Sequence, residues 1–150
     1  MNFLQCLIIS ESSLVGDFLV RAFVEKGFTG RTVTPKALDS IVSNKHSIYS
    51  SIRIENLKDV SICLFDLDYQ QGFLQKKIKC LNEYMELEGN GKQIGYVMSV
   101  GQYIHWSSNK ETSEWLESIE SKILFKPLSG LSIERYILEN FGGNLISSAA

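Results

Sequence analysis

Val60-Ser61-Ile62-Cys63-Leu64-Phe65 is a nearly unbroken apolar run that breaks off at Asp66-Leu67-Asp68. Such a run is too short for a stable helix and too apolar for a half-exposed strand. It fits a strand covered on both faces, the condition of a strand inside a parallel sheet. Related runs occupy residues 3–9, 93–100 and 122–125, with a weaker one at 29–34. Helical spacing fills the intervals. Leu14, Val15, Phe18, Leu19, Ala22 and Phe23 recur with that period behind the cap-forming Ser10-Glu11-Ser12-Ser13, and Gly27 ends the segment. Residues 35–42, with Pro35 in the first turn, and residues 73–87, 112–119 and 132–141 read as further helices. Residues 88–91 form a turn, and the Ser-rich stretch 43–56 carries mixed signals that give no assignment. Gly142-Gly143 is predicted to stop the last helix. That gives a domain over 1–141 and leaves 142–150 as a tail or the start of a linker to an output domain.

Strands alternating with helices imply a doubly wound α/β domain, a five-stranded parallel sheet with helices on both faces. A chain of 150 residues with 44% hydrophobic and 21% charged residues suits one such domain with a real core. A formal net charge of −2 argues against direct nucleic-acid binding, and the densest basic stretch, Gln75-Lys76-Lys77-Ile78-Lys79, fits a solvated helix face. No apolar stretch reaches the roughly 18–20 residues of a membrane span. The N-terminus lacks the basic region and small-residue cleavage site of a signal peptide. Cys6 and Cys63 sit in apolar runs, as buried inert thiols do, and with Cys80 they match no metal-binding spacing. A cytoplasmic location is the expectation.

In doubly wound sheets ligands bind beyond the carboxyl ends of the strands. Those positions hold Ser10 and Glu11 after the first strand, Asp66 and Asp68 after the third, Ser99 near the end of the fourth, and Lys126-Pro127 after the fifth. Each residue alone has a duller role: acids and serines cap helices and close turns, and lysines are usually solvated. Together they place three carboxylates, a hydroxyl and an ammonium on one edge. Carboxylate oxygens suit Mg²⁺, which takes one or two of them and keeps several waters. The lysine and the hydroxyl could hold phosphoryl oxygens, and the central aspartate could attack phosphorus. No Gly-x-Gly-x-x-Gly follows the first strand, which weakens a dinucleotide-binding reading.

Three blocks resemble the receiver domains of bacterial response regulators, which have a flavodoxin-like fold. Cys6-Leu7-Ile8-Ile9-Ser10-Glu11 through Gly27-Phe28 is similar to their first strand and helix. Cys63-Leu64-Phe65-Asp66 is similar to the strand carrying their phosphoacceptor, and Ile123-Leu124-Phe125-Lys126-Pro127 to their Lys-Pro segment with its cis peptide. The resemblance implies Asp66 as phosphoacceptor, Lys126 and Ser99 as its partners, and Glu11, Asp66 and Asp68 as ligands of Mg²⁺. It departs from the family at Ser10, where one acid of the usual pair is missing, and in the loop 67–72, which lacks the usual proline.

Two readings follow, neither of them a turnover enzyme. In one, a histidine kinase phosphorylates Asp66 in a two-component system, and the added charge switches a face built from residues 101–141. In the other, the chain is a pseudo-receiver that acts through protein contacts, with another signalling protein or as a homodimer, without phosphorylation. Tyr103, Ile104, Trp106, Trp115 and Tyr136 lie in the segment that would form this face. Large aromatics either anchor interfaces or fill cores, so they serve both readings.

Overall fold

The structure, a computed structural model, describes residues 5–34, 60–68 and 93–149. The elements in chain order are β1 (Gln5–Ile9), α1 (Ser13–Glu25), β2 (Thr29–Val33), β3 (Val60–Asp66), β4 (Gln93–Ser99), α2 (Val100–Ser107), α3 (Lys110–Ile119), a short 3-10 turn (Glu120–Lys122), β5 (Ile123–Lys126) and α4 (Gly130–Ala149). The expected helices at 35–42 and 73–87, the turn at 88–91, the stretch 43–56 and Cys80 lie outside the described residues. The strands form one five-stranded sheet in the order β2-β1-β3-β4-β5, and every pairing is parallel. This is the doubly wound α/β arrangement that the apolar runs predict.

Strand side chains alternate between faces, so each apolar run feeds two cores at once. Leu7, Ile9, Cys63, Phe65, Tyr96 and Met98 point to one face, where they meet Leu116 and Ile119 of α3. Cys6, Ile8, Ile62, Leu64, Val97 and Leu124 point to the other, against Leu19 and Phe23 of α1 and Ile133, Ile137 and Phe141 of α4. Cys6 and Cys63 are buried free thiols, and burial raises the Cys6 pKa, with Cys63 adding to the effect. This is the inert state expected of them. Among the described residues no helix is long and apolar enough to cross a membrane.

Local signals fix the ends of α1. The Ser12 hydroxyl accepts the Val15 N–H at 3.3 Å. At the other end Gly27 adopts φ 93°, the Phe28 N–H bonds the Phe23 carbonyl and the Gly27 N–H bonds the Val24 carbonyl. Phe28 then packs edge-on against Phe23 with centroids 5.3 Å apart, completing a Schellman cap and its apolar contact.

Two expectations change. The fourth strand ends at Ser99, not Val100, because the Ser99 hydroxyl accepts the Gln102 N–H and starts α2, a helix absent from the sequence reading. The last helix does not stop at Gly142-Gly143 but continues to Ala149. A glycine costs a helix only about 1 kcal/mol, and Ile133, Tyr136, Ile137 and Phe141 already anchor its first three turns in the core. The aromatics of residues 101–141 face inward. Tyr103 packs on Phe125, Trp106 on Trp115, Trp115 on Tyr96, and Tyr136 on Phe141. Tyr136 is buried, and Tyr103, Trp106 and Trp115 are half-buried where they pack against the core.

Gly95 lies under α4. A β-carbon there would run into the Tyr136 hydroxyl and come within 2.6 Å of Leu64 Cδ2. That hydroxyl is held by a 2.6 Å hydrogen bond to the Lys122 carbonyl, so it cannot retreat freely. Gly95→Ala is expected to lower stability by about 2 kcal/mol, the usual cost of overpacking a core. Gly142→Ala, whose β-carbon meets nothing within 4 Å, should raise it by up to about 1 kcal/mol. Urea denaturation of the two variants against wild type checks both signs.

Candidate functional site

β1, β3, β4 and β5 end at the same edge, and the residues that leave them meet there. Asp66 is the last residue of β3, and its side chain is fully buried. A buried carboxylate needs partners, and this one has several. Lys126, on β5, reaches past the intervening β4 and places its Nζ 3.1 Å from Oδ1 and 3.2 Å from Oδ2. The Ser10 hydroxyl, itself buried, donates to Oδ2 at 2.8 Å, and the Asp68 N–H donates to Oδ1 at 3.2 Å. Ser10 is held in turn by the Ser12 N–H, which donates to its Oγ at 3.0 Å.

Asp68 completes the cluster. Its Oδ2 lies 2.7 Å from Lys126 Nζ, and its Oδ1 accepts the Ser99 N–H at 2.7 Å. One ammonium therefore bridges two carboxylates, and the second carboxylate ties β3 to the start of α2. Gln102 adds a link that the sequence does not advertise, its Nε2 donating to the Leu67 carbonyl at 3.3 Å. Burial pulls the Lys126 pKa down. The hydrogen bonds to Asp68 and Asp66, with the charges of both carboxylates, outweigh burial and hold it above the usual lysine value.

The structure thus brings together Asp66, Asp68, Lys126 and the backbone of Ser99. The Ser99 hydroxyl is used as the cap of α2, so the expected role beside Asp66 passes to its N–H, which binds Asp68. Glu11 is exposed, whereas its neighbour Ser10 is buried and turns into the sheet edge. Ser10 is the residue whose role the sequence left undefined. Its replacement of an acid was the signal, and its hydroxyl is a direct partner of Asp66.

Mg²⁺ demands near-octahedral oxygen ligands at about 2.0–2.1 Å. Here the two carboxylates already share an ammonium, and the neutral hydroxyl of Ser10 stands beside Asp66 where the resemblance implies the first acid of a pair. Among the described residues no three of His, Cys, Asp and Glu gather closely enough to hold a metal ion. The set Glu11, Asp66 and Asp68 is not assembled, and the residues at this edge do not fit the ion.

The Lys126-Pro127 peptide is cis. The fold is similar to those of several solved structures. A pilus assembly-related protein from Burkholderia pseudomallei superposes with a TM-score of 0.59 at 13% identity, over 93% of this chain and 90% of that one. A response regulator receiver domain protein from Clostridium thermocellum gives 0.55 at 13% identity, over 97% and 99%. The chemotaxis response regulator CheY4 of Vibrio cholerae gives 0.56 at 10% identity, over 93% and 99%. The chain has the receiver fold. No protein-family model and no curated protein sequence matches it.

Lys126→Met would strip the counter-ion from a buried carboxylate. A loss of about 3 kcal/mol is expected, larger than the roughly 2 kcal/mol for Ser10→Ala, which removes one hydrogen bond to a charge. The raised lysine pKa sets the pH dependence. Its stabilisation is fully present below the unfolded lysine value, about 10.4, and is lost as pH rises through the folded value. The difference between wild type and Lys126→Met should therefore stay level through neutral pH and shrink only at alkaline pH. Denaturant titrations across that range measure it.

Proposed function

We propose that this receiver-like domain is a signalling module that works through protein contact, without phosphorylation of Asp66 and without turnover chemistry. The observation that carries this reading is the state of the Asp66 carboxylate. Both oxygens accept hydrogen bonds and the side chain is shielded from solvent. A carboxylate nucleophile needs a free lone pair with a clear line to phosphorus. The incoming phosphoryl group also needs its charge neutralised, and among the described residues no three acidic, thiol or imidazole groups gather for a divalent ion to do so. The Ser99 hydroxyl, which would follow a phosphoryl group, is occupied at the helix cap. A histidine kinase is therefore not required, and the partner is another signalling protein or a second copy of this chain. The fold's occurrence in a protein named for pilus assembly supports a contact role apart from chemotaxis.

The contact face proposed is the one carried by α2. Val100 and Ile104 stand one helical turn apart on it and are 52% and 64% exposed, while the aromatics beside them point inward. It lies within residues 101–141 apart from Val100, and the tie from Ser99 to Asp68 fixes its starting turn in place.

Incubation with Mg²⁺ and a small phosphodonor, followed by intact-mass measurement, should show no phosphoryl increment. An increment on wild type that is lost in Asp66→Asn would overturn this reading and restore the phosphorylated one.

Sedimentation of the protein at hundreds of micromolar should show self-association that is unchanged by phosphodonor and weakened by Ile104→Lys. A monomer at every concentration would leave a different protein as the partner.

A further inference from the structure

We propose that the outer surface of α1 and α4 binds a second copy of this chain across a two-fold axis, with α1 of each copy lying antiparallel against α4 of the other. This surface is on the opposite side of the sheet from α2. α1 and α4 cover the core built on Cys6, Ile8 and Leu64, whereas Tyr103 and Trp106 of α2 pack on the other core. The proposal therefore adds a contact to the α2 face and does not rest on it.

The two helices are neighbours. Phe23 of α1 and Phe141 of α4 meet with ring centroids 6.1 Å apart, and Lys26 at the end of α1 pairs with Glu134 of α4 at 2.7 Å. Side chains one or two turns from that ion pair, on the same flank of each helix, fall along the furrow between them. On α1 these are Phe18 and, one turn earlier, Leu14. On α4 they are Leu131 and Leu138, on either side of Glu134. Phe18, Leu14, Leu131 and Leu138 are 44%, 82%, 68% and 52% exposed. Single exposed apolar side chains need no partner, but four along one furrow make a patch of the kind that marks a contact surface.

The charges beside the furrow identify the occupant. Asp17 adjoins Phe18 and Arg135 adjoins Glu134. Both are exposed, and neither side chain has a hydrogen-bond or ion-pair partner among the described residues. α1 follows β1 and α4 follows β5 in a parallel sheet, so both helices leave the same edge and run the same way. A two-fold axis perpendicular to the pair therefore sets α1 antiparallel on the partner's α4. Placing Leu14 on the partner's Leu138 then brings Asp17 opposite the partner's Arg135, because each charge lies one turn inward from its leucine. The symmetry makes the same match a second time. Apolar meets apolar and acid meets base within one alignment of the surface on itself. That self-complementarity is what an isologous contact requires, and it favours a second copy over an unrelated protein.

Sedimentation equilibrium of the full chain tests this, in an Ile104→Lys background that removes contact through α2, with circular dichroism checking that each variant is folded. A dimer should persist in that background at hundreds of micromolar. Asp17→Arg or Arg135→Asp alone sets like charges opposite each other in both halves of the contact and should weaken the dimer about tenfold or more. The double swap Asp17→Arg/Arg135→Asp restores the pairing with the signs exchanged and should return the dissociation constant to within about threefold of the parent. Phe18→Lys, and Leu138→Lys on the other helix, should each leave a monomer. A monomeric Ile104→Lys chain would overturn the proposal, as would single swaps that leave the dimer unchanged or a folded double swap that fails to recover it. The α2 contact is read separately, from Ile104→Lys against wild type, so either contact can fail while the other stands.

Discussion

The burial of one carboxylate organises this end of the molecule. Asp66 cannot stay ionised inside the sheet edge without a cation, and Lys126 supplies it from two strands away. Bridging that distance fixes the relative positions of β3 and β5. The remaining acceptors of the carboxylate are then filled by Ser10 at the end of β1 and by the Asp68 N–H, and Asp68 passes the constraint to the Ser99 N–H. A single charge thus couples the ends of four strands. A pair of this kind adds little net stability compared with an apolar substitute, but breaking it leaves a charge stranded in the interior. Its larger effect here is to hold these strand ends in one arrangement.

The two cores behind that edge explain why the constraint is local. Each strand alternates between an α1–α4 face and an α2–α3 face, and both faces are filled with large side chains down to Phe23, Phe65 and Phe141. Tyr136 shows how tightly polar groups are managed inside them. Its hydroxyl, with a pKa driven up chiefly by burial, donates to the Lys122 carbonyl just before β5. The glycine at position 95 exists to leave room for it. Motion that rearranged β4 or β5 would have to break this contact along with the charged cluster.

How much of this was legible depended on whether local or distant forces decide a feature. The strands were legible because burial on both faces writes itself as an apolar run, and Asp66 and Lys126 were legible because they end two such runs. α2 was not, since Val100 extends the apolar run of β4 and only the Ser99 cap, a hydrogen bond to the next turn, decides that the helix begins there. The continuation of α4 past Gly142-Gly143 was hidden for the opposite reason. Core contacts of Ile133, Ile137 and Phe141 outweigh a local propensity that points to a stop. The direction of Tyr103, Trp106 and Trp115 was undecidable from spacing, because an aromatic stripe has the same period whether it faces a core or a partner. The split between Ser10 and Glu11 was hidden as well: Ser10 is buried and hydrogen-bonds Asp66 on a neighbouring strand, whereas Glu11 is exposed.

Ser10 is the position on which the character of the edge turns. Were a carboxylate to stand there, the cluster would hold three acids against one ammonium, leaving two negative charges in a shielded space. That excess calls for a divalent cation, and no lysine could satisfy all three acids from one point. With a hydroxyl the count falls to two acids against one ammonium, and the leftover charge is shared over four oxygens, three of them on the lysine and the fourth on the Ser99 N–H. The hydroxyl does more than remove charge. As a donor it hydrogen-bonds the very oxygen that an added acid would repel, at 2.8 Å. A hydroxyl at this position therefore both keeps the negative charge of the cluster low and occupies one oxygen of Asp66. The two cores that define the fold lie below this edge and are built from apolar side chains that do not touch the charged cluster.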